Sequence, residues 1–122
     1  MNNLEIYSKE SKSTNENIDI FTLLINLGLS PSLKGTFFLK DIIKICLDRP
    51  YLKELSFKEI VSIYSKENNL TPKNVISSIQ YACHSINQNH AKKNFRKYLD
   101  IDYDEYFLSK KQFLLILNNK IK

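Results

Sequence analysis

The sequence is poor in the residues that interrupt helices. Its 122 residues include only two glycines and three prolines, while hydrophobic residues make up 43% of the chain. This composition is typical of a compact helical protein. The length is enough to bury a core and too short for two domains of ordinary size.

Cysteines and long apolar runs are also scarce. Cys46 and Cys83 lie in apolar helical registers without metal-ligand spacing, which argues against a disulfide or a zinc site. No apolar run approaches the roughly 18 residues that a membrane crossing requires. No signal peptide is visible either. We therefore expect a cytoplasmic protein without a membrane partner.

Arginine is the rare member of the basic residues. Of 18 basic residues only Arg49 and Arg96 are arginine, and the net charge is +5. This charge favours polyanionic partners. Lysine, however, meets a phosphate as a point charge, so it specifies little about the ligand.

The residue combinations that perform catalysis are missing. His84 and His90 flank no carboxylate or nucleophile arrangement, and the pair Cys83-His84 lacks the spacing of a metal site. No phosphate-binding loop or acid/base pair is present. We expect no enzyme activity, no cofactor, no metal and no small-molecule substrate.

What is present is a succession of helical patterns. They predict a polar and loosely ordered arm at 1–16, then a helix from Ile18 to Leu27 closed by Gly28, and then a connector from Leu29 to Gly35 in which Gly35 permits a tight turn. A central core helix with a broad apolar face follows from Phe37 to Leu47, and Pro50 ends it. Later in the chain the patterns predict a basic helix from Ala91 to Leu99 and a last helix that Ser109 caps.

The segment from Ser56 to Asn89 has the pattern of two helices joined by a turn. Ser56 and Glu59 form a capping box at the start of the first helix. Asn68-Asn69 ends it, and Thr71 as N-cap with Pro72 at the first helical position starts the second. The second helix has an apolar face made of four residues, Val75, Ile79, Ala82 and Ile86, with Ile76 and Cys83 on its border. The pattern matches a helix-turn-helix, whose second helix enters the DNA major groove, and equally an ordinary helical hairpin with a polar surface.

The polar face of this second helix supplies the candidate DNA contacts. Pointing outward are Lys73, Asn74, Ser77, Gln80, Tyr81 and His84. The amides of Asn74 and Gln80 can pair bidentately with adenine, and Ser77 can serve several bases. Candidate phosphate contacts are Thr71, Lys73, Lys34, Lys92, Lys93 and Arg96. The alternative for each is solvated surface. We expect the acidic residues that follow Leu99 to neutralise part of the charge of the basic run before it.

The order and spacing of several segments carry a family resemblance. They are Gly28–Leu39, Glu59–Val61, Thr71-Pro72 with Val75, Ile79 and Ala82, and Ser109–Lys120. Across 17–122 the sequence resembles the C-terminal DNA-binding effector domain of the stage zero sporulation protein A family. The resemblance implies an all-α domain of about six helices with a helix-turn-helix, binding double-stranded promoter DNA as a regulator of transcription in sporulation.

Three departures from the family matter. The receiver domain has no counterpart before residue 17, so we expect no phosphorelay control in cis. The turn between Tyr64 and Thr71 is about four residues longer than the family's. The acidic and arginine residues of the family's recognition helix are replaced by Ile76, Ser77 and Gln80. Losing an arginine paired to guanine costs about 1–3 kcal/mol of discrimination at a site.

Two functions remain open at this point. The first is a small DNA-binding transcriptional regulator that uses the helix-turn-helix, alone or as a homodimer. The second is a protein-interaction module that pairs with a full-length regulator or another partner and does not read DNA. An exposed Ile76 on the outward face of the second helix favours the second function, because an apolar side chain suits a partner surface.

Overall fold

The structure, a computed structural model, describes residues 20–103. This part of the chain contains five α-helices and no strand, which confirms the all-α class. The described part of α1 covers residues 20–26, and the remaining elements are α2 (Lys34–Asp48), a 3-10 helix (Pro50–Glu54), α3 (Phe57–Glu67), α4 (Pro72–His84) and α5 (Gln88–Leu99). The predicted arm at 1–16 and the predicted helix from Ser109 lie outside the described residues.

α2 is the central helix of the core. It packs most extensively against α4 and also contacts α3 and the 3-10 helix. Its buried residues include Leu39, Ile42, Ile43 and Cys46, and those of α4 are Val75, Ile79, Ala82 and Cys83. Ile60 and Tyr64 of α3 are buried in the same cluster, as is Ile86 after α4. The predicted apolar face of α4 is therefore buried, and it packs against α2 and α3.

The connection from α1 to α2 is fixed by local hydrogen bonds. Gly28 has a φ of 115°, the left-handed region predicted for it, and the Leu29 N–H donates to the Leu24 carbonyl over 3.1 Å. The buried Thr36 hydroxyl donates to the Ser30 carbonyl over 2.7 Å. These bonds hold the connector against the first turn of α2.

The start of α2 differs from the sequence-based expectation. The helix begins at Lys34, so Gly35 lies in its first turn and not in a connector. A Cβ at Gly35 would come within 2.0 Å of the Ser78 carbonyl oxygen on α4. Glycine is required there because the two helix backbones approach so closely. Phe37 also lies outside the core, with 43% of its surface exposed, and stacks on Phe21 with ring centroids 5.1 Å apart.

Two polar contacts connect α3 to α2 and its end. The Tyr64 hydroxyl donates to the Asp41 carboxylate over 2.7 Å, and burial, together with this bond, raises the pKa of Tyr64. Arg49, which follows α2, donates to both carboxylate oxygens of Glu67 over 2.7 and 3.0 Å. These bonds raise the pKa of Arg49 and lower that of Glu67. The Tyr64–Asp41 and Glu67–Arg49 contacts thus join α3 to α2 and to the residue that follows α2.

Candidate nucleic-acid interface

The first helix of the predicted motif starts at the capping box. The Ser56 Oγ accepts from the Glu59 N–H over 3.1 Å, and the Glu59 carboxylate accepts from the Ser56 N–H over 2.9 Å. Both bonds satisfy backbone donors that a helix start leaves unpaired. The capping box predicted from the sequence is therefore confirmed.

The turn between the helices covers residues 68–71. Asn69 adopts a left-handed conformation with a φ of 57°, which asparagine tolerates better than most residues. The Leu70 N–H donates to the Ser65 carbonyl over 2.8 Å, and the Asn68 amide donates to the Tyr64 carbonyl over 2.9 Å. The last carbonyls of α3 are thereby bonded and the chain can change direction into α4.

α4 begins where the sequence predicted, but without the predicted cap. Thr71 occupies the N-cap position and Pro72 the first helical position, yet the Thr71 side chain makes no capping hydrogen bond. Only its carbonyl takes part, accepting from the Val75 N–H over 3.0 Å. The preorganised φ of Pro72, which suits a first helical residue, contributes to the start of the helix here.

The face of α4 opposite its buried face is entirely polar or aromatic. Its exposed residues are those predicted, Lys73, Asn74, Ser77, Gln80, Tyr81 and His84, with the exposed Thr71 beside its start. At 100° per residue the six lie within about a third of the helix circumference, on the side away from Val75 and Ile79. Within the described part of the chain the side chains of Asn74, Ser77 and Gln80 form no hydrogen bond. Their donors and acceptors are available to a ligand.

Ile76 does not belong to this outward face. It is half-buried and packs against the core cluster, beside the buried face of α4. Its position on the border of the buried face is the one predicted from the spacing, whereas the expectation that it is an exposed apolar contact was wrong. The observation that favoured a protein-interaction surface is therefore lost.

A surface groove of about 350 Å³ lies beside the contact between α4 and the start of α2. It is lined by Ser32, Leu33, Lys34, Gly35, Ser77, Ser78 and Tyr81. Lys34, exposed in the first turn of α2, is thus placed beside the outward face of α4. Leu33 occupies the N-cap position of α2, but its side chain forms no capping hydrogen bond, and the first turn of α2 contains no acidic residue. The positive end of the helix dipole and the Lys34 charge therefore act in the same place.

The basic residues of α5 form a second surface. Lys92, Lys93 and Arg96 are exposed, while Ala91, Phe95 and Leu99 are buried. Arg96 forms ion pairs of 3.4 Å with both Asp100 and Asp102, which confirms the predicted partial neutralisation for that residue. In the part of the chain that the structure describes, no ion pair involves Lys92 or Lys93. Neither lysine lines the groove between α2 and α4.

Some features of this region were not predicted from the sequence. Ser32 and Ser78 line the groove beside Lys34, and Gly35 sets the distance between the two helices. No sequence signal identifies the two serines, since each is an ordinary polar residue until α2 and α4 are packed. For Gly35, a glycine within an otherwise helical pattern is less favourable than alanine, so its presence indicates a packing requirement but not the neighbour that imposes it.

Residues 20–103 contain neither a metal-binding cluster nor a membrane-spanning helix. No group of three or more His, Cys, Asp or Glu side chains is placed to hold a metal ion there. Cys46 and Cys83 are both buried and no disulfide joins them, and burial raises the pKa of the Cys83 thiol to about 12. None of the helices in this range has the length and apolar character that a membrane crossing needs.

Comparison with known proteins adds no assignment. No protein family matches the sequence, and no match is found among curated proteins. The resemblance to the stage zero sporulation protein A effector domain therefore stays a prediction. The function has to be argued from the geometry of α4 and its surroundings.

Proposed function

We propose that the protein is a small DNA-binding regulator of transcription that inserts α4 into the major groove. The observation that supports this most is the outward face of α4, where the side chains of Asn74, Ser77 and Gln80 are exposed and form no hydrogen bond within the described residues. A major groove about 12 Å wide admits one α-helix, and base edges are read there by such side chains. α4 follows α3 across a short turn, as a recognition helix does.

The distribution of charge supports the same placement. Lys73 lies in the first turn of α4, and Lys34 lies at the start of α2, where it lines the protein groove between α2 and α4. Both can meet phosphates on the edges of the DNA groove that α4 would occupy. Lys92 and Lys93 add exposed positive charge on α5, and the net charge of the chain is +5. Affinity on this arrangement is mainly electrostatic, because lysine contacts phosphate without specifying sequence.

The regulatory role rests on the family resemblance and on the proposed DNA binding together. The resemblance motivates three further parts of the proposal. They are a role in sporulation, a location in the cytoplasm, and pairing with a second copy of the chain or with a full-length regulator. The partner-module alternative has lost its specific support, because Ile76 packs against the core.

Salt dependence tests the proposal directly. If Lys34, Lys73, Lys92 and Lys93 each contact one phosphate, the slope of log affinity against log salt is about −3.6, so affinity falls roughly 150-fold between about 50 and 200 mM salt. Fluorescence anisotropy with a labelled duplex measures the slope. No binding to any duplex at about 50 mM salt would refute the proposal and favour a protein partner.

Single substitutions separate the two kinds of contact. Lys92→Ala should weaken binding to all sequences equally and make the slope shallower by about 0.9. Gln80→Ala should leave the slope unchanged and relax preference at one base pair. Lys58→Ala is the matched control for charge. Lys58 is exposed in the first turn of α3, and it belongs neither to the groove between α2 and α4 nor to α5. A slope change for Lys58→Ala as large as for Lys92→Ala would contradict the assignment of α5.

A further inference from the structure

We infer that the outward face of α4 selects adenine·thymine base pairs and not guanine·cytosine pairs. This inference rests on the proposed function, because it names the DNA sequence class that the same face would read. It follows from which donors and acceptors α4 presents, from where the two arginines are placed, and from the spacing of the amides along the helix.

The amides on α4 match the major-groove edge of adenine. A carboxamide accepts from the adenine N6 amino group through its oxygen and donates to adenine N7 through its nitrogen. Asn74 and Gln80 supply two such groups, both exposed and both without a hydrogen bond within residues 20–103. Tyr81, 65% exposed, adds an apolar ring that can contact the thymine methyl group of a neighbouring pair.

The side chain that most commonly reads guanine is absent from α4. Both arginines of the chain lie elsewhere, and both are paired with carboxylates. Arg49 forms a two-bond pair with Glu67, and Arg96 pairs with Asp100 and Asp102. The one lysine of α4, Lys73, lies in the first turn of the helix, and we assign it to a phosphate.

The spacing predicts how long the recognised core is. Asn74, Ser77 and Gln80 follow one another at three-residue steps, and six residues of helix extend about 9 Å. Base pairs are stacked about 3.4 Å apart, so the three side chains cover roughly three successive pairs. We therefore expect a core of about three base pairs in which at least two are adenine·thymine.

Selection from a randomised duplex pool tests this inference and the proposed function separately. Enrichment of a core containing at least two adenine·thymine pairs is the expected result. Enrichment of a guanine·cytosine core, or retention without any sequence preference, would overturn the inference and leave DNA binding standing. No retention of any duplex at about 50 mM salt would overturn both.

Modified bases then test the atoms involved. Replacing one contacted adenine by 7-deazaadenine removes the N7 acceptor and should weaken binding roughly 5- to 100-fold, while the same replacement outside the core should have little effect. Uracil in place of thymine removes the methyl group and tests the Tyr81 contact. Equal affinity for the adenine and 7-deazaadenine duplexes would overturn major-groove reading by amides.

A substitution that changes the preference is the sharpest variant. Gln80→Arg should shift one position of the core from adenine towards guanine, because the guanidinium pairs with guanine O6 and N7. Asn89→Arg on α5 is the matched control, which adds the same charge at an exposed asparagine outside α4. Circular dichroism establishes that each variant is folded. An unchanged preference in folded Gln80→Arg would overturn the placement of Gln80 against a base.

Discussion

The contact between α2 and α4 at Gly35 gives the most direct test of how the α4 surface is positioned. Gly35 is buried, and a Cβ built on it would lie 2.0 Å from the Ser78 carbonyl oxygen and 2.9 Å from the Ala82 Cβ. The nearest of these atoms is backbone, so no side-chain rotation relieves the contact. Gly35→Ala therefore requires α2 and α4 to separate by a distance on the order of 1 Å.

Two opposing effects decide the magnitude. Alanine is favoured over glycine within a helix by about 1 kcal/mol. Overpacking a rigid interior typically costs about 1–3 kcal/mol and occasionally more, and a contact this short lies at the upper end. We expect Gly35→Ala to lower the free energy of unfolding by about 2 kcal/mol. Urea denaturation followed by circular dichroism measures this change.

The sign of the effect tests the reasoning. If the helices were loosely packed at Gly35, alanine would instead stabilise the protein by about 1 kcal/mol, and that result would refute the close approach. Lys34→Ala is the matched control, since this neighbouring residue is exposed and should change stability by less than about 0.5 kcal/mol. Combining Gly35→Ala with Ala82→Gly should restore little of the stability, because the Ser78 carbonyl remains in place.

Three further predictions concern buried residues. Ile79 is fully buried, so Ile79→Ala should lower the free energy of unfolding, measured by urea denaturation, by about 2–5 kcal/mol. A decrease of less than about 1 kcal/mol would contradict its place in the core. The Ser65 hydroxyl is buried without a hydrogen bond, so Ser65→Ala should stabilise by about 1 kcal/mol, whereas the exposed Ser62→Ala should be near neutral. Burial raises the pKa of the Cys83 thiol from 9.0 to about 12. Its contribution to stability is therefore complete below pH 9 and decreases as the pH rises towards 12, because the unfolded chain loses this proton first. Mass spectrometry after alkylation at pH 8 should show Cys83 unmodified in the folded protein and modified in urea.

The sequence alone was sufficient for features that depend on neighbouring residues. The capping box at Ser56, the left-handed Gly28 and the end of α3 at Asn68 are each formed by bonds within a few residues, so the local pattern predicts them. The apolar period of α4 likewise predicted its buried face, and hence that Asn74 and Gln80 point outward, because the direction of a side chain follows from its position along the helix.

Features that join distant residues were decided by tertiary packing. The sequence did not predict that Gly35 meets the Ser78 carbonyl. Arg49 is bonded to Glu67, 18 residues away, and Lys34 lies beside α4 although about 40 residues of sequence separate them. Each of these relations depends on how α2, α3 and α4 are arranged against one another. A periodic pattern specifies which face of a helix is buried, but the neighbour that covers it is chosen by the fit of side chains in the packed core.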